Sequence, residues 1–249
     1  MPITTLTFVL IATVCTAFIS GVFGMAGGMI LMGILTWILP VSTAMVLHGI
    51  IQLTSNGLRS ILHRKYIQWA ILRQYLLGAF FCLFLFLFIV LNVNKTTVFL
   101  ILGSLPFISL MIPKSNKLNI TRPMHSLFCG FMVTSFHLTA GVSGPMLDIF
   151  YPKHQLNRHQ VIATKAITQA LGHFIKIIYF SFFITRLKDV ETTDIVFWVY
   201  PAVICTTILG TSLSKFYLNK INDHQFYNWT QRLLIVVGCV YLWRGLQLL

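Results

Sequence analysis

Acid is what this sequence has least of. Of 249 residues only five are Asp or Glu, and charged side chains of both signs make up 9%. A water-soluble domain carries about 25% charged residues and about 45–50% apolar ones. With 57% hydrophobic residues and a mean hydropathy of +0.83, the chain cannot cover a water-facing surface. A soluble globular fold is excluded. The strict alternation of apolar and polar residues needed by a transmembrane barrel strand is also missing, because the apolar runs are continuous. So is any CxxC spacing or metal-ligand grouping. Cys15, Cys82, Cys129, Cys205 and Cys239 each stand in a separate apolar stretch and read as small buried hydrophobes. Neither a metal site nor a cofactor is expected. Met1-Pro2-Ile3-Thr4 opens the chain without a positive region, so a cleaved signal peptide is not expected.

What the chain does have is apolar length. Runs fall at 3–20, 29–39, 41–62, 69–91, 96–112, 124–137, 145–151, 159–183, 194–217 and 225–248. About 20 apolar residues in helix match the thickness of a hydrocarbon core. The expected fold is therefore all-α: a polytopic helical membrane protein of about 8–10 transmembrane segments, with residues 1–249 forming a single transmembrane domain. The formal charge of +13 comes from 18 Lys and Arg that sit mostly in short connections. That is an orientation signal for a membrane protein, not a nucleic-acid surface. The lipid bilayer is the expected partner, with a homodimer left open.

Two breaks between runs consist of glycine, not charge. They are Gly21-Val22-Phe23-Gly24-Met25-Ala26-Gly27-Gly28-Met29 and Gly141-Val142-Ser143-Gly144-Pro145-Met146. Inside a bilayer such backbone is tolerated only where it lines a cavity or is covered by protein. The two are related. A spacing of 117 residues separates Gly24 from Gly141, Gly27 from Gly144 and Met29 from Met146. The same spacing pairs Leu39 with Leu156, His48 with Lys165, Gln52 with Gln169, Asn56 with His173 and Arg59 with Lys176. The chain reads as two copies of one unit, about 1–117 and about 118–249.

The basic connections orient the copies. Arg64, Lys65 and Arg73 form one cluster, and Lys114, Lys117 and Arg122 a second. Lys153 and Arg158 form a third, and Lys215, Lys220 and Arg232 a fourth. Lys95 stands alone, and Arg186 and Lys188 are offset by Asp189 and Glu191. All four clusters share one side only if each glycine-broken unit enters and leaves on the same side, as a re-entrant hairpin or as two short crossings. The second copy is then inverted, and both termini face away from the cytoplasm.

Inverted repeats with broken helices place a site near the bilayer midplane, where half-helix N-termini suit an anion. Gly24, Gly27 and Gly28 would line it from the first copy, and Gly141, Ser143 and Gly144 from the second. His48, Gln52, Asn56 and Arg59 share one helix face, and Lys165, Gln169, His173 and Lys176 repeat that pattern. The two stripes should face each other. Arg59, Lys165 and Lys176 lie in apolar runs with Asp148 as the one acid in the interior of a run, so an anionic ligand would complete the charge balance. Asp148 could pair with a lysine or carry a coupled proton. Ser135, His137 and Thr139 could add donors, whereas His63, His125, His154, His159 and His224 lie at helix ends and receive no role.

The glycine clusters carry a resemblance. Gly21-x-x-Gly24-x-x-Gly27-Gly28-Met29 with the run to Pro40 resembles the first-repeat signature of the sulfite exporter TauE/SafE family. Gly141-x-x-Gly144-Pro145-Met146 with Ala163-Thr164-Lys165 resembles that family's second repeat. Ala26 and Pro145 stand where the family tends to glycine. The resemblance implies a multi-pass carrier in the cell inner membrane, moving sulfur-containing anions such as sulfite or organosulfonates by alternating access, driven by an ion gradient, and not an enzyme. A passive anion channel would share the site chemistry. A third reading is an intramembrane serine protease of rhomboid type, in which Gly141-Val142-Ser143-Gly144 supplies the nucleophile and His173 the base. Ala26 at the position matching Ser143 weighs against it.

Overall fold

The computed structural model describes residues 2–23, 25–89, 93–112, 118–151, 155–184, 195–218 and 223–249. Gly24 lies outside them, as do Lys114, Lys117, Lys153, His154, Arg186, Lys188, Asp189, Glu191 and Lys220, and the side chains of Lys215 and His224 are likewise not described. Among the described residues all regular structure is helical.

The first half begins with α1 (Ile3–Phe23), α2 (Ala26–Ile38) and α3 (Val41–Leu62). It continues with α4 (Trp69–Phe88) and α5 (Lys95–Met111). The second half begins with α6 (Pro123–Thr139), α7 (Gly144–Ile149) and α8 (Arg158–Ile178), which runs on through a π-helical turn to Ile184. It ends with α9 (Val199–Leu218) and α10 (Asp223–Gln247). Ile3–Phe23, Trp69–Phe88 and Arg158–Ile184 are long and apolar enough to cross a membrane. At 13 and six residues, α2 and α7 reach only about 20 and 9 Å, short of the ~30 Å hydrocarbon core. They are the half-helices that the glycine breaks announce.

Local chemistry sets the ends. Leu39 is forced extended (φ −120°, ψ 159°) by the proline after it, which stops α2. Pro40 then leads into α3. One repeat later, the Asn157 side chain accepts from the Gln160 backbone while the Gln160 side chain accepts from Asn157 N, a capping box that starts α8. The helix starts, Val41 and Arg158, lie at the repeat spacing although their stop and cap signals differ.

Four helix pairs build the bundle: α4 with α6, α1 with α9, α3 with α8 and α5 with α10. Exchanging the halves (α1 for α6, α3 for α8, α4 for α9, α5 for α10) maps this set of pairs onto itself. Equivalent helices that meet run antiparallel. The His63 and His159 rings lie 6.2 Å apart near one end of the α3/α8 pair, and Lys176 meets His48 near the other. In α5/α10, Thr96 donates to Leu248 O while Gly103 lies against Leu242 and Gly238. The mixed pairs run parallel. Ser126 bonds Ile71 O and Ser135 bonds Cys82 in α6/α4, and Gly210 meets Val14 while Tyr217 meets Phe18 in α9/α1. This is the packing of an inverted repeat.

Lipid offers no hydrophobic reward for helix association, so these contacts depend on close approach. Gly78 and Gly130 do this reciprocally. A Cβ on Gly78 would run into Leu127 O, and one on Gly130 into Tyr75 O. The outward face is apolar instead. Leu77, Phe80, Phe81, Phe84 and Phe88 project from α4. Here the cysteine reading needs correction: Cys82 and Cys129 are buried, but Cys15, Cys205 and Cys239 are exposed. An apolar position in a membrane protein can face lipid as readily as core, so hydrophobicity alone does not report burial.

Candidate functional site

The two glycine breaks come together. Gly144, the first residue of α7, packs on the Met25 side chain that precedes α2. Gly141 sits between the sulfurs of Met32 and Met45, in the left-handed region at φ +77°. Only glycine adopts that angle without strain, and a Cβ there would meet the Met32 sulfur at 2.6 Å. Gly27 has a different task. It seats α2 against the backbone of Thr16 and Ser20 on α1, where no side chain fits.

Between the breaks, α3 and α8 contribute a buried polar network. Lys176 Nζ donates to His48 Nδ1 at 2.8 Å and to Gly141 O at 3.0 Å. His48 Nε2 lies 2.9 Å from Gly28 O. A carbonyl can only accept, so Nε2 carries the proton and Nδ1 is the acceptor for Lys176. With Lys176 as the donor His48 is neutral, and the chain Gly28–His48–Lys176–Gly141 ties one break to the other. Lys176 and His48 are both 0% exposed. Gln52 lies against Gly28, and Asn56 donates to Gln52 Oε1 at 3.5 Å. On the α8 side, Gln169 donates to Ser143 Oγ at 3.2 Å, and Ser143 Oγ is 3.0 Å from His137 Nε2. The His173 ring lies between the other two, 4.5 Å from His137 and 5.4 Å from His48 by centroids. His137 Nδ1 and His173 Nδ1 are buried without a hydrogen-bond partner among the described residues. Such atoms are uncommon, and they leave polar capacity at this centre.

Of the residues singled out in the sequence, the fold gathers Gly28, His48, Gln52, Asn56, Gly141, Ser143, Gln169, His173 and Lys176, with Gly144 behind them. It separates the other two cations. Arg59 lies 11 residues along α3 from His48, about 16 Å of helix, and donates to Ser20 Oγ (3.2 Å) and Ser55 Oγ (3.1 Å). Lys165, expected to line the site, lies apart from the centre and takes the pairing with Asp148 that the sequence left open. It bonds Asp148 and lies over the Tyr151 ring at 4.7 Å. The pair is partly solvated, 27% and 38% exposed. A second difference concerns the breaks. What they present to the centre is carbonyl oxygen, from Gly28 and Gly141, held by donors from the facing helices, not a ring of half-helix N–H groups.

Two determinants escaped the sequence reading. Gly49 leaves room for the Lys176 stem, whose Cε would lie 3.3 Å from a Cβ at that position, and Gly172 leaves room for the His137 ring. A glycine one residue from a helical histidine, and another four before Lys176, were the available signals. They are indistinguishable from packing glycines until the facing helix is known. An open groove of about 500 Å³, lined by Ala70, Ile71, Arg73, Gln74 and Thr121 among others, shares no residue with this centre.

The sequence matches the family described as sulfite exporter TauE/SafE over residues 9–241. No curated protein and no solved structure matches it.

Proposed function

The chain belongs to the sulfite exporter TauE/SafE family of membrane transporters, and from that premise we propose that it is a secondary carrier of small sulfur-containing anions, sulfite or organosulfonates, seated in the inner membrane as a multi-pass protein. The observation that carries the reading is Lys176. It is a cation at the meeting of the two breaks, 0% exposed, whose partners are a neutral ring and a carbonyl. A buried charge with no acid beside it among the described residues is costly, and a negative ligand is the natural complement. Asp148 does not fill that place, since it is bonded to Lys165.

In the conformation described, the centre is shut: His48, Gln52, Asn56, His137, Ser143, His173 and Lys176 are all at most 7% exposed. Alternating access supplies the rest of the mechanism. Parting of the breaks lets the anion take the place of Gly141 O on Lys176. The amides of Gln52, Asn56 and Gln169 and the Ser143 hydroxyl offer further donors, and charge-assisted bonds of this kind are about twice as strong as neutral ones. Opening the other side then releases the anion.

The Ser143–His137 contact has the reach of a nucleophile and base, and it replaces the Ser143–His173 pair expected for a protease. His137 Nδ1, however, faces Gly172 and has no acid to orient it among the described residues. Transport remains the reading best supported. The test is counterflow of radiolabelled sulfite into liposomes holding the purified chain. Sulfite exchange above that of protein-free vesicles, competed by 2-hydroxyethanesulfonate, is the expected result. Equal flux in both preparations refutes the carrier. A unitary conductance in planar bilayers would identify a channel instead.

A further inference from the structure

Resting on that reading, we infer that His48 carries the coupling proton of the transport cycle, and that its second protonation unlocks the two glycine breaks. The geometry leaves little choice of state. With Gly28 O on one nitrogen and the Lys176 ammonium on the other, His48 is held as the neutral tautomer with hydrogen on Nε2. A proton arriving from water forms an N–H bond with the Nδ1 lone pair. That nitrogen then becomes a donor facing a donor, and two positive charges confront each other across a 2.8 Å contact. The Lys176–His48 bond cannot survive. The Gly28–His48–Lys176–Gly141 chain opens in the middle, and Lys176 is left free to bind the anion. Loss of the same proton from Nδ1 to water on the other side restores the acceptor and closes the chain.

The surroundings suit this role. From α8, Lys176 and His173 face the His48 ring, from α6 comes His137 behind His173, and from α2 only the Gly28 carbonyl. The remaining partners of α3 include α9, whose Thr211 meets Ser55 well away from His48. Among the described residues no carboxylate faces the ring, so an added charge on His48 is not neutralised locally and must be offset by the incoming anion. That is the physical link between proton and substrate: each charge makes the other acceptable in a dry centre. Asp148, the alternative proton carrier, is partly solvated and bonded to Lys165, outside this chain of contacts.

The test uses the substitution H48Q. A glutamine can donate its amide to Gly28 O and accept from Lys176, so it copies the neutral ring but takes no proton. Purified wild-type and H48Q proteins are reconstituted with internal pyranine, and protons moved per sulfite are counted at one pH. The wild type is expected to move one proton more per sulfite than H48Q, whatever rate H48Q retains, and the anion's own proton cancels in the difference. H48N serves if H48Q does not elute as a single species. If neither does, the wild-type count decides: protons beyond those sulfite carries at that pH support the inference, and no excess overturns it. Equal ratios in wild type and variant overturn the proton role and leave the carrier standing. No sulfite flux through the wild type removes the carrier reading and this inference together.

Discussion

Replacing Lys176 with methionine probes the centre most directly, and the structure sets its size. Methionine keeps the length and most of the volume of the stem that passes Gly49, so packing is largely conserved. Two polar atoms, His48 Nδ1 and Gly141 O, lose their donor. Each unsatisfied buried group costs about 1–3 kcal/mol. Against this, the desolvation of a fully buried ammonium, several kcal/mol, is removed. The terms are of similar size and opposite sign, so K176M should fold with a thermal midpoint within about 5 °C of wild type. Transport should respond very differently. One charge-assisted contact to the anion is worth about 1.5–3 kcal/mol, so its loss should slow exchange by about 10- to 150-fold. Labelled sulfite counterflow measures the rate, and tryptophan fluorescence on heating measures the fold. K176M that folds normally and exchanges sulfite within twofold of wild type would refute the assignment of the anion to Lys176.

Three further outcomes follow from the packing. Gly141→Ala places an L-residue at φ +77° with its Cβ against Met32 and Met45. The backbone cost of about 1–2 kcal/mol adds to the clash, so a melting midpoint lowered by several degrees and reduced sulfite flux are expected. Because Gly144 touches Met25, M25C/G144C in a background without the five native cysteines should oxidise to a disulfide that halts counterflow. Reduction should restore it, and flux unaffected by oxidation would show that the breaks need not part. Tyr241 donates to Met29 O at 3.0 Å and Ile30 O at 3.2 Å. Y241F should destabilise the protein by about 0.5–1.5 kcal/mol, read from its thermal midpoint.

How much was legible beforehand depended on the range of the interaction. The helix class followed from apolar length, and the short α2 and α7 from the glycine breaks. The two polar stripes followed from the 117-residue spacing that joins Gln52 to Gln169 and Arg59 to Lys176. That Asp148 could pair with a lysine was legible, but that Lys165 takes it and so leaves the centre was not, because a pairing between α7 and α8 depends on where the six-residue α7 ends and how the chain returns. Cys15, Cys205 and Cys239 were misjudged because lipid and protein interior impose the same hydrophobicity.

The sequence by itself determined the solvent, the helical architecture and the twofold plan. Each is written in composition or in a spacing, and neither needs a distant partner to be read. Only the tertiary structure decided which of the matched cations occupies the centre. Arg59 and Lys176 are equivalent by spacing, yet Arg59 finds the serines of α1 and α3 while Lys176 finds His48 and the Gly141 carbonyl. The two halves are related in sequence but place their matched cations in different surroundings. A sequence records their kinship, and only coordinates record which partner each matched residue finds.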